Sequence, residues 1–197
     1  MKKRNVCLQR HTKETKISVT LGIDGTGKSK ISTGIGFLDH MLELFARHGK
    51  FDLEIKARGD LRVDRHHTNE DTGIALGKAF TSALKEKTGI VRYGFFCVPM
   101  GEALARVALD LSGRPSFYFR SEFKLNQRAE PYKIEDAEHF LESFSQAAGI
   151  NLHIDVLAGR QLHHVLEAVF KALARALDQA TQIDPRERGI PSTKGVL

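Results

Sequence analysis

Histidine and glutamate recur in this 197-residue sequence at spacings that could hold a metal ion. His66, His67 and Glu70 stand in the order H-H-x-x-E, and His163, His164 and Glu167 repeat that order. Residues three and four apart share one face of a helix, so all three members of each set can gather near a helix N-terminus. A further histidine accompanies each set, His40 in "DHMLELF" and His139 in "EHFLESF". Imidazole and carboxylate donors without thiolate suit Mn, Fe, Ni, Co or Zn better than Mg or Ca. Eight ligands are enough for two ions, each with positions left open for a substrate. Adjacent histidines point about 100° apart on a helix, so one H-H pair can serve two different ions. That geometry brings in neighbouring subunits.

The elements that carry these residues are duplicated. Asp39 to Ile55 aligns with Glu138 to Ile154, placing His40 on His139, Glu43 on Glu142 and Phe45 on Phe144. His66 to Phe80 aligns with His163 to Leu177, and Glu14 to Gly25 with Glu102 to Gly113. Two related half-domains follow, 1–89 and 90–181, with a tail at 182–197. Periodicity predicts strands near 4–11, 15–23, 28–33 and 52–58 in the first half, with helices near 38–49 and 68–87. In the second half it predicts strands near 91–98, 103–111, 116–122 and 151–157, with helices near 136–149 and 162–181. The class is α+β, with helices packed on sheets.

One motif points elsewhere. "GIDGTGKS" (Gly22 to Ser29) satisfies the phosphate-loop pattern G-x-x-x-x-G-K-[ST]. A phosphate loop needs a strand that turns directly into a helix, whose free N–H groups hold the phosphates. The residues that follow, "KISTGIGF", are β-branched and glycine-rich and make a poor helix. A β-hairpin with "GTG" at its turn is the expectation, with Lys28 a solvated turn residue. The repeat partner "SGRP" carries no G-K-S. "IDGT" also approaches the D-x-D-G-T of aspartyl-phosphate phosphatases, but the nucleophile position is Gly22.

The chain as a whole bounds the setting. Its two cysteines, Cys7 and Cys97, have no metal or disulfide spacing and are expected to be buried thiols. No apolar run approaches membrane-spanning length, and the basic N-terminus lacks the apolar core of a secretory signal. A cytoplasmic protein with no membrane partner is expected. The net charge of +6 is spread among interleaved acidic residues, and no aromatic-rich RNA-binding signature appears. No nucleic-acid partner is expected. Arg92, Arg114 and the tail residues Ser192, Thr193 and Lys194 form a candidate phosphate clamp.

"TGIGFLDHML", "DRHHTNEDTGIALG", "DLSGRP", "HHVLEAVFKALARAL" and "PSTKG" run the length of the chain and resemble the imidazoleglycerol-phosphate dehydratases of histidine biosynthesis. No phosphatase-like segment precedes them, so the resemblance is to the monofunctional form. It implies a fold of the ribosomal protein S5 domain 2-like type. It implies a homo-oligomer of 24 subunits and two metal ions per site, usually Mn²⁺, held between chains. By that resemblance the metal ligands fall on His40, His66, His67, Glu70, His139, His163, His164 and Glu167. The contacts to a small phosphorylated imidazole substrate fall on Glu14, Arg92, Arg114, Lys171, Ser192 and Lys194. One departure stands out. The family reads P-M-D-E where this chain has "PMGE", with Gly101 in place of Asp.

The implied reaction is a dehydration of imidazole glycerol phosphate to imidazole acetol phosphate. The proton to be lost is not acidic, and no carbonyl is present to hold the resulting charge. A metal-bound imidazolate would let the ring itself expel the hydroxyl. Glu14 is the first candidate for the proton steps and Glu167 the second, although Glu70 and Glu167 read first as ligands. An RNA-binding module and a two-metal hydrolase are the rival readings.

Overall fold

A computed structural model describes residues 4–122 and 132–197; the rest of the two predicted halves lies outside the described residues. The first half comprises strands β1 (Asn5–His11), β2 (Thr15–Gly22), β3 (Ser29–Ser32) and β4 (Asp52–Gly59), with helices α1 (Gly36–Gly49) and α2 (His66–Leu84). The second comprises β5 (Tyr93–Met100), β6 (Ala103–Asp110), β7 (Ser116–Ser121) and β8 (Asn151–Ala158), with α3 (Ile134–Ala148) and α4 (Leu162–Thr181). The helix expected to reach residue 87 stops at Leu84. Lys85 and Lys87 there take positive φ, which a helix does not tolerate.

Each half folds a four-stranded mixed sheet, in the orders β1-β2-β4-β3 and β5-β6-β8-β7. Alternation along the strands turns one face inward. Ile17, Val19, Leu21, Leu53 and Ile55 are buried in the first sheet, and Ala105, Val107, Leu109, Leu152 and Ile154 in the second. On α1, Leu38, Met41, Leu42 and Phe45 follow helical spacing and are buried; α2 lies on β1 and β2 of the first sheet, while α1 meets the edge strand β3. Phe45, Phe51, Phe80 and Phe144 meet as tilted and edge-to-face rings, so both halves share one core.

The helices pair across the halves, α2 on α3 and α1 on α4. Glycine sets the α2–α3 approach. A Cβ on Gly73 would lie 2.6 Å from the Phe140 carbonyl oxygen, and one on Gly77 2.6 Å from that of Phe144. Gly73 lies against residues 140–144 and Gly77 against 144–148, so the two helices run the same way. His40 meets Glu167 and the His48 carbonyl meets Arg175, so α1 and α4 do likewise. Phe37 at the start of α1 stacks on Tyr132, whose hydroxyl donates to Asn69 at the start of α2. The N-terminal ends of the helices therefore gather at one end of the molecule.

The phosphate-loop segment is not a hairpin. β3 lies at the far edge of the first sheet and pairs parallel with β4, which separates it from β2. The chain passes through α1 to make that parallel pairing, the β–α–β connection that parallel neighbours require. No helix follows Ser29 directly, and the Lys28 side chain is exposed. The backbone N–H groups of Thr26 and Lys28 do hold an anion, the Asp52 carboxylate, at 2.9 and 3.1 Å. They hold it well below the usual carboxylate range. The cysteines also differ from expectation: both thiols are exposed. Cys7 shares the outward pleat of β1 with Gln9 and His11, while Val6 and Leu8 face inward.

Candidate functional site

Two clusters form where helices of different halves meet, and each draws on both halves. In the first, α1 supplies His40 and α4 supplies His163 and Glu167. The Nε2 atoms of His40 and His163 lie 3.2 and 3.1 Å from Glu167 Oε1, and one ligand atom from each residue falls within 4.8 Å of the others. Glu167 Oε2 accepts a hydrogen bond of 2.6 Å from Lys171, one turn further along α4. Burial raises the Glu167 pKa, but Lys171 and the two histidines outweigh it and hold the carboxyl at about 2.

The second cluster is the repeat image of the first. His66 and Glu70 come from α2 and His139 from α3. The His66 Nε2–Glu70 Oε2 distance is 3.6 Å, and the His66 and His139 rings pack edge-on at 5.1 Å. This cluster is the more open. Its side chains line a cavity of about 500 Å³ together with Ile74, Glu142 and Ser143. Ile74 stands at the position that Lys171 occupies in the other half, so Glu70 has no equivalent ammonium.

His67 and His164 stay outside the two clusters, in line with the 100° between successive residues on a helix. Each turns away from the preceding histidine, with ring centroids 6.0 and 6.4 Å apart. Each is gripped at Nδ1 by a carboxylate: His67 by Asp60 at 2.9 Å and His164 by Glu102 at 2.6 Å. An ionised carboxylate only accepts, so Nδ1 carries the proton and the Nε2 lone pair faces outward. The Asp60 carboxylate raises the His67 pKa. Spacing did not reveal these partners. Asp60 opens the loop after β4, and its repeat counterpart is Gly159.

Glu14 and Glu102 are repeat mates with different surroundings. Glu102 accepts from the backbone N–H of Gln161 and Arg160 and from His164, which together hold its carboxyl at about 2. Glu14 sits on the turn between β1 and β2, with its carboxylate 3.9 Å from His67 Nε2. Gly101 occupies the matching turn between β5 and β6 with φ +57°. A Cβ there would lie 3.3 Å from His164 Nδ1.

The cationic candidates lie elsewhere. Arg92 pairs with Asp110 at 2.7 and 2.9 Å and donates to the Pro191 carbonyl at 2.8 Å, which ties down the tail. The chain end at Leu197 packs against Gly113, beside Arg114. Ser192, Thr193 and Lys194 are thus brought to the neighbourhood of the two arginines. The Arg92 N–H donates to the Ala180 carbonyl at the C-terminal end of α4, whereas His163 is at its N-terminal end. The intervening helix spans roughly 25 Å. Of the sequence candidates, the ligand set with Glu14 and Lys171 gathers at one end of the molecule and the phosphate clamp at the other.

Comparison with known proteins agrees with this architecture. The family described as imidazoleglycerol-phosphate dehydratase matches residues 33–177. The imidazoleglycerol-phosphate dehydratase of Methylorubrum extorquens is 53% identical over 195 residues, covering 98% of this chain and 100% of that protein. The one from Geobacillus kaustophilus is 53% identical over 194 residues, covering 98% and 99%. Among solved structures, the dehydratase from Staphylococcus aureus superposes with a TM-score of 0.79 at 37% identity, covering 91% of this chain and 99% of that one. The structure of IGPD from Pyrococcus furiosus gives 0.82 at 35% identity, covering 96% and 100%. The chain belongs to the imidazoleglycerol-phosphate dehydratase family.

Proposed function

We propose that this chain is a hydro-lyase that removes water from imidazole glycerol phosphate to give imidazole acetol phosphate, a step of L-histidine biosynthesis. Family membership supports the reaction. The observation that carries the chemistry is the His40–His163–Glu167 triad and its image, His66–Glu70–His139. In the first triad each histidine lies 3.1 or 3.2 Å from Glu167, and one donor atom from each residue falls within 4.8 Å of the others, close enough to share one ion. The two triads, with the Nε2 atoms of His67 and His164, would hold two divalent cations per site; the imidazole and carboxylate donors admit Mn, Fe, Ni, Co or Zn, and manganese is the ion that the resemblance implies. When bound, such cations withdraw charge from an imidazole ring and so ease loss of a non-acidic proton beside a departing hydroxyl.

The chain's own residues divide the remaining work. Both oxygens of Glu167 are engaged, by histidines and by Lys171, which fits a ligand rather than a proton shuttle. Glu14 keeps a free, half-exposed carboxylate beside His67 and is the acid/base in this reading. Arg92, Arg114, Ser192, Thr193 and Lys194 hold the phosphate, and Lys171 lies within reach of the substrate at the triad. An imidazole joined to a phosphate by three carbons is far shorter than the span between the triads and the clamp. One substrate therefore touches the triad of one chain and the clamp of another. This supports an obligate homo-oligomer, a 24-subunit assembly in the resemblance above. No helix among the described residues is long and apolar enough to cross a membrane, and a cytoplasmic location fits a biosynthetic enzyme.

The test is turnover of imidazole glycerol phosphate by the purified protein. Chelated protein is expected to be inactive and to recover with Mn²⁺, forming a ketone. Full activity in metal-free protein removes the cations from the reading. Release of inorganic phosphate in place of a ketone replaces the dehydratase with a hydrolase.

A further inference from the structure

The two halves share one fold, yet among the described residues one group of buried and half-buried polar side chains is found only in the first. Asp71, 7% exposed, follows Glu70 on α2. Its Oδ1 accepts from Arg10 Nε and Nη2 at 2.9 and 2.5 Å. Its Oδ2 accepts from Thr15 Oγ1 at 2.5 Å and from Thr12 Oγ1 at 3.5 Å. Thr12 Oγ1 in turn accepts the backbone N–H groups of Glu14 and Thr15, at 3.2 and 2.9 Å. The turn that carries Glu14 is thereby bolted to the first turns of α2, which carry His67 and Glu70.

The repeat supplies an internal control. Arg10, Thr12, Thr15 and Asp71 fall on Val98, Met100, Ala103 and Ala168 of the second half. The same junction of hairpin and helix is there built from apolar side chains. The fold does not need the polar set, and a buried ion pair adds little net stability over an apolar replacement. What differs is the glutamate above it. Glu102 is fixed through its own carboxylate, by two backbone N–H groups and His164. Glu14 has 53% of its side chain exposed and only the 3.9 Å approach to His67. A carboxylate that must exchange protons has to keep its oxygens free, so its position has to be set through its backbone.

We infer that Arg10, Asp71, Thr12 and Thr15 form a positioning network that aims Glu14 at the site. This rests on the reading of Glu14 as the proton shuttle. A displacement of about 1 Å at a reacting group costs up to roughly a hundredfold in rate.

The test is a double-mutant cycle on the metal-loaded oligomer, comparing wild type, Thr15→Val, Glu14→Gln and the double variant. Thr15→Val is expected to lower kcat about tenfold or more, with metal content and KM unchanged, and Thr15→Ser to restore it. In the Glu14→Gln background the same change is expected to alter kcat less than about twofold, because its effect passes through Glu14. Should Thr15→Val fail to fold, Thr12→Val enters the same cycle. Equal losses in both backgrounds, or no loss from either threonine variant, overturn the network and leave Glu14 in place. An unchanged kcat in Glu14→Gln overturns both the network and the reading beneath it.

Discussion

Two inactive variants are expected to make an active enzyme when they share an assembly. The perturbations are His40→Ala, at the triad end, and Lys194→Ala, on the tail at the opposite end. Both side chains are substantially exposed, so neither change should cost much stability. The two ends are separated by the length of α4 from His163 to Ala180, roughly 25 Å, which one small substrate cannot bridge. A working site then takes its triad from one chain and its phosphate clamp from another. In an assembly drawn at random from equal amounts of the two variants, the triad is intact in half the draws and the clamp in half. About one site in four has both. Differently tagged chains would be co-expressed, the mixed oligomers isolated through both tags, and kcat/KM compared with each parent. About a quarter of wild-type activity is expected, against a small residue in either parent. If triad and clamp of one chain served one substrate, every chain in the mixture would carry a lesion. Mixed oligomers would then show only the mean of the parents, and the argument from α4 would fail.

Three further outcomes follow from the geometry. In chelated protein, Glu167 has its pKa depressed from 4.5 to about 2, so its contribution to stability is complete above about pH 4.5 and is lost as pH falls towards 2. That contribution amounts to about 3 kcal/mol; Lys171→Met should remove much of it at neutral pH, and urea midpoints that stay parallel to wild type from pH 7 to 3 would disprove the link. Gly101→Ala places a side chain at φ +57° and 3.3 Å from the His164 ring, so thermal unfolding should show a loss of about 1–2 kcal/mol; an unchanged Tm would mean the turn relaxes freely. Asp52→Ala strips the anion from the Thr26 and Lys28 amides and should cost about 1–3 kcal/mol in denaturant melts, with no nucleotide binding by calorimetry in either protein; ATP binding would revive the phosphate loop.

The sequence revealed element types well because the repeat offered two readings of each. His40 and His139, or Val19 and Val107, could be checked against one another. Strand pairing was less visible. "TLGIDGTGKSKIST" has the local signs of a hairpin, and consecutive strands are more often neighbours than not. The decisive sign lay beyond the motif, where α1 separates β3 from β4 and so favours a parallel pairing. The exposure of Cys7 was readable from alternation, since it shares parity with Gln9 and His11. The divergence within each H-H pair was also foreseeable, from the helical rotation per residue. The carboxylates that orient His67 and His164 were hidden, because Asp60 and Glu102 come from unrelated positions in the two halves.

That inequivalence separates what duplication supplied from what the chemistry needs. Duplication gives two triads with the same three residue types, and helix pairing across halves builds both. Parts of their surroundings have diverged. Lys171 faces Glu167 where Ile74 stands near Glu70, so one triad is compact and charge-compensated and the other opens onto a cavity. Glu102 is tied up in hydrogen bonds while Glu14 is free. A dehydration must take a proton at one place and release a hydroxyl at another, and it needs an asymmetric site. The residues that break the repeat, Lys171, Asp60 and Asp71, and Glu14, whose surroundings differ from those of its mate Glu102, are for that reason the ones to which mechanism should be most sensitive beyond the two triads.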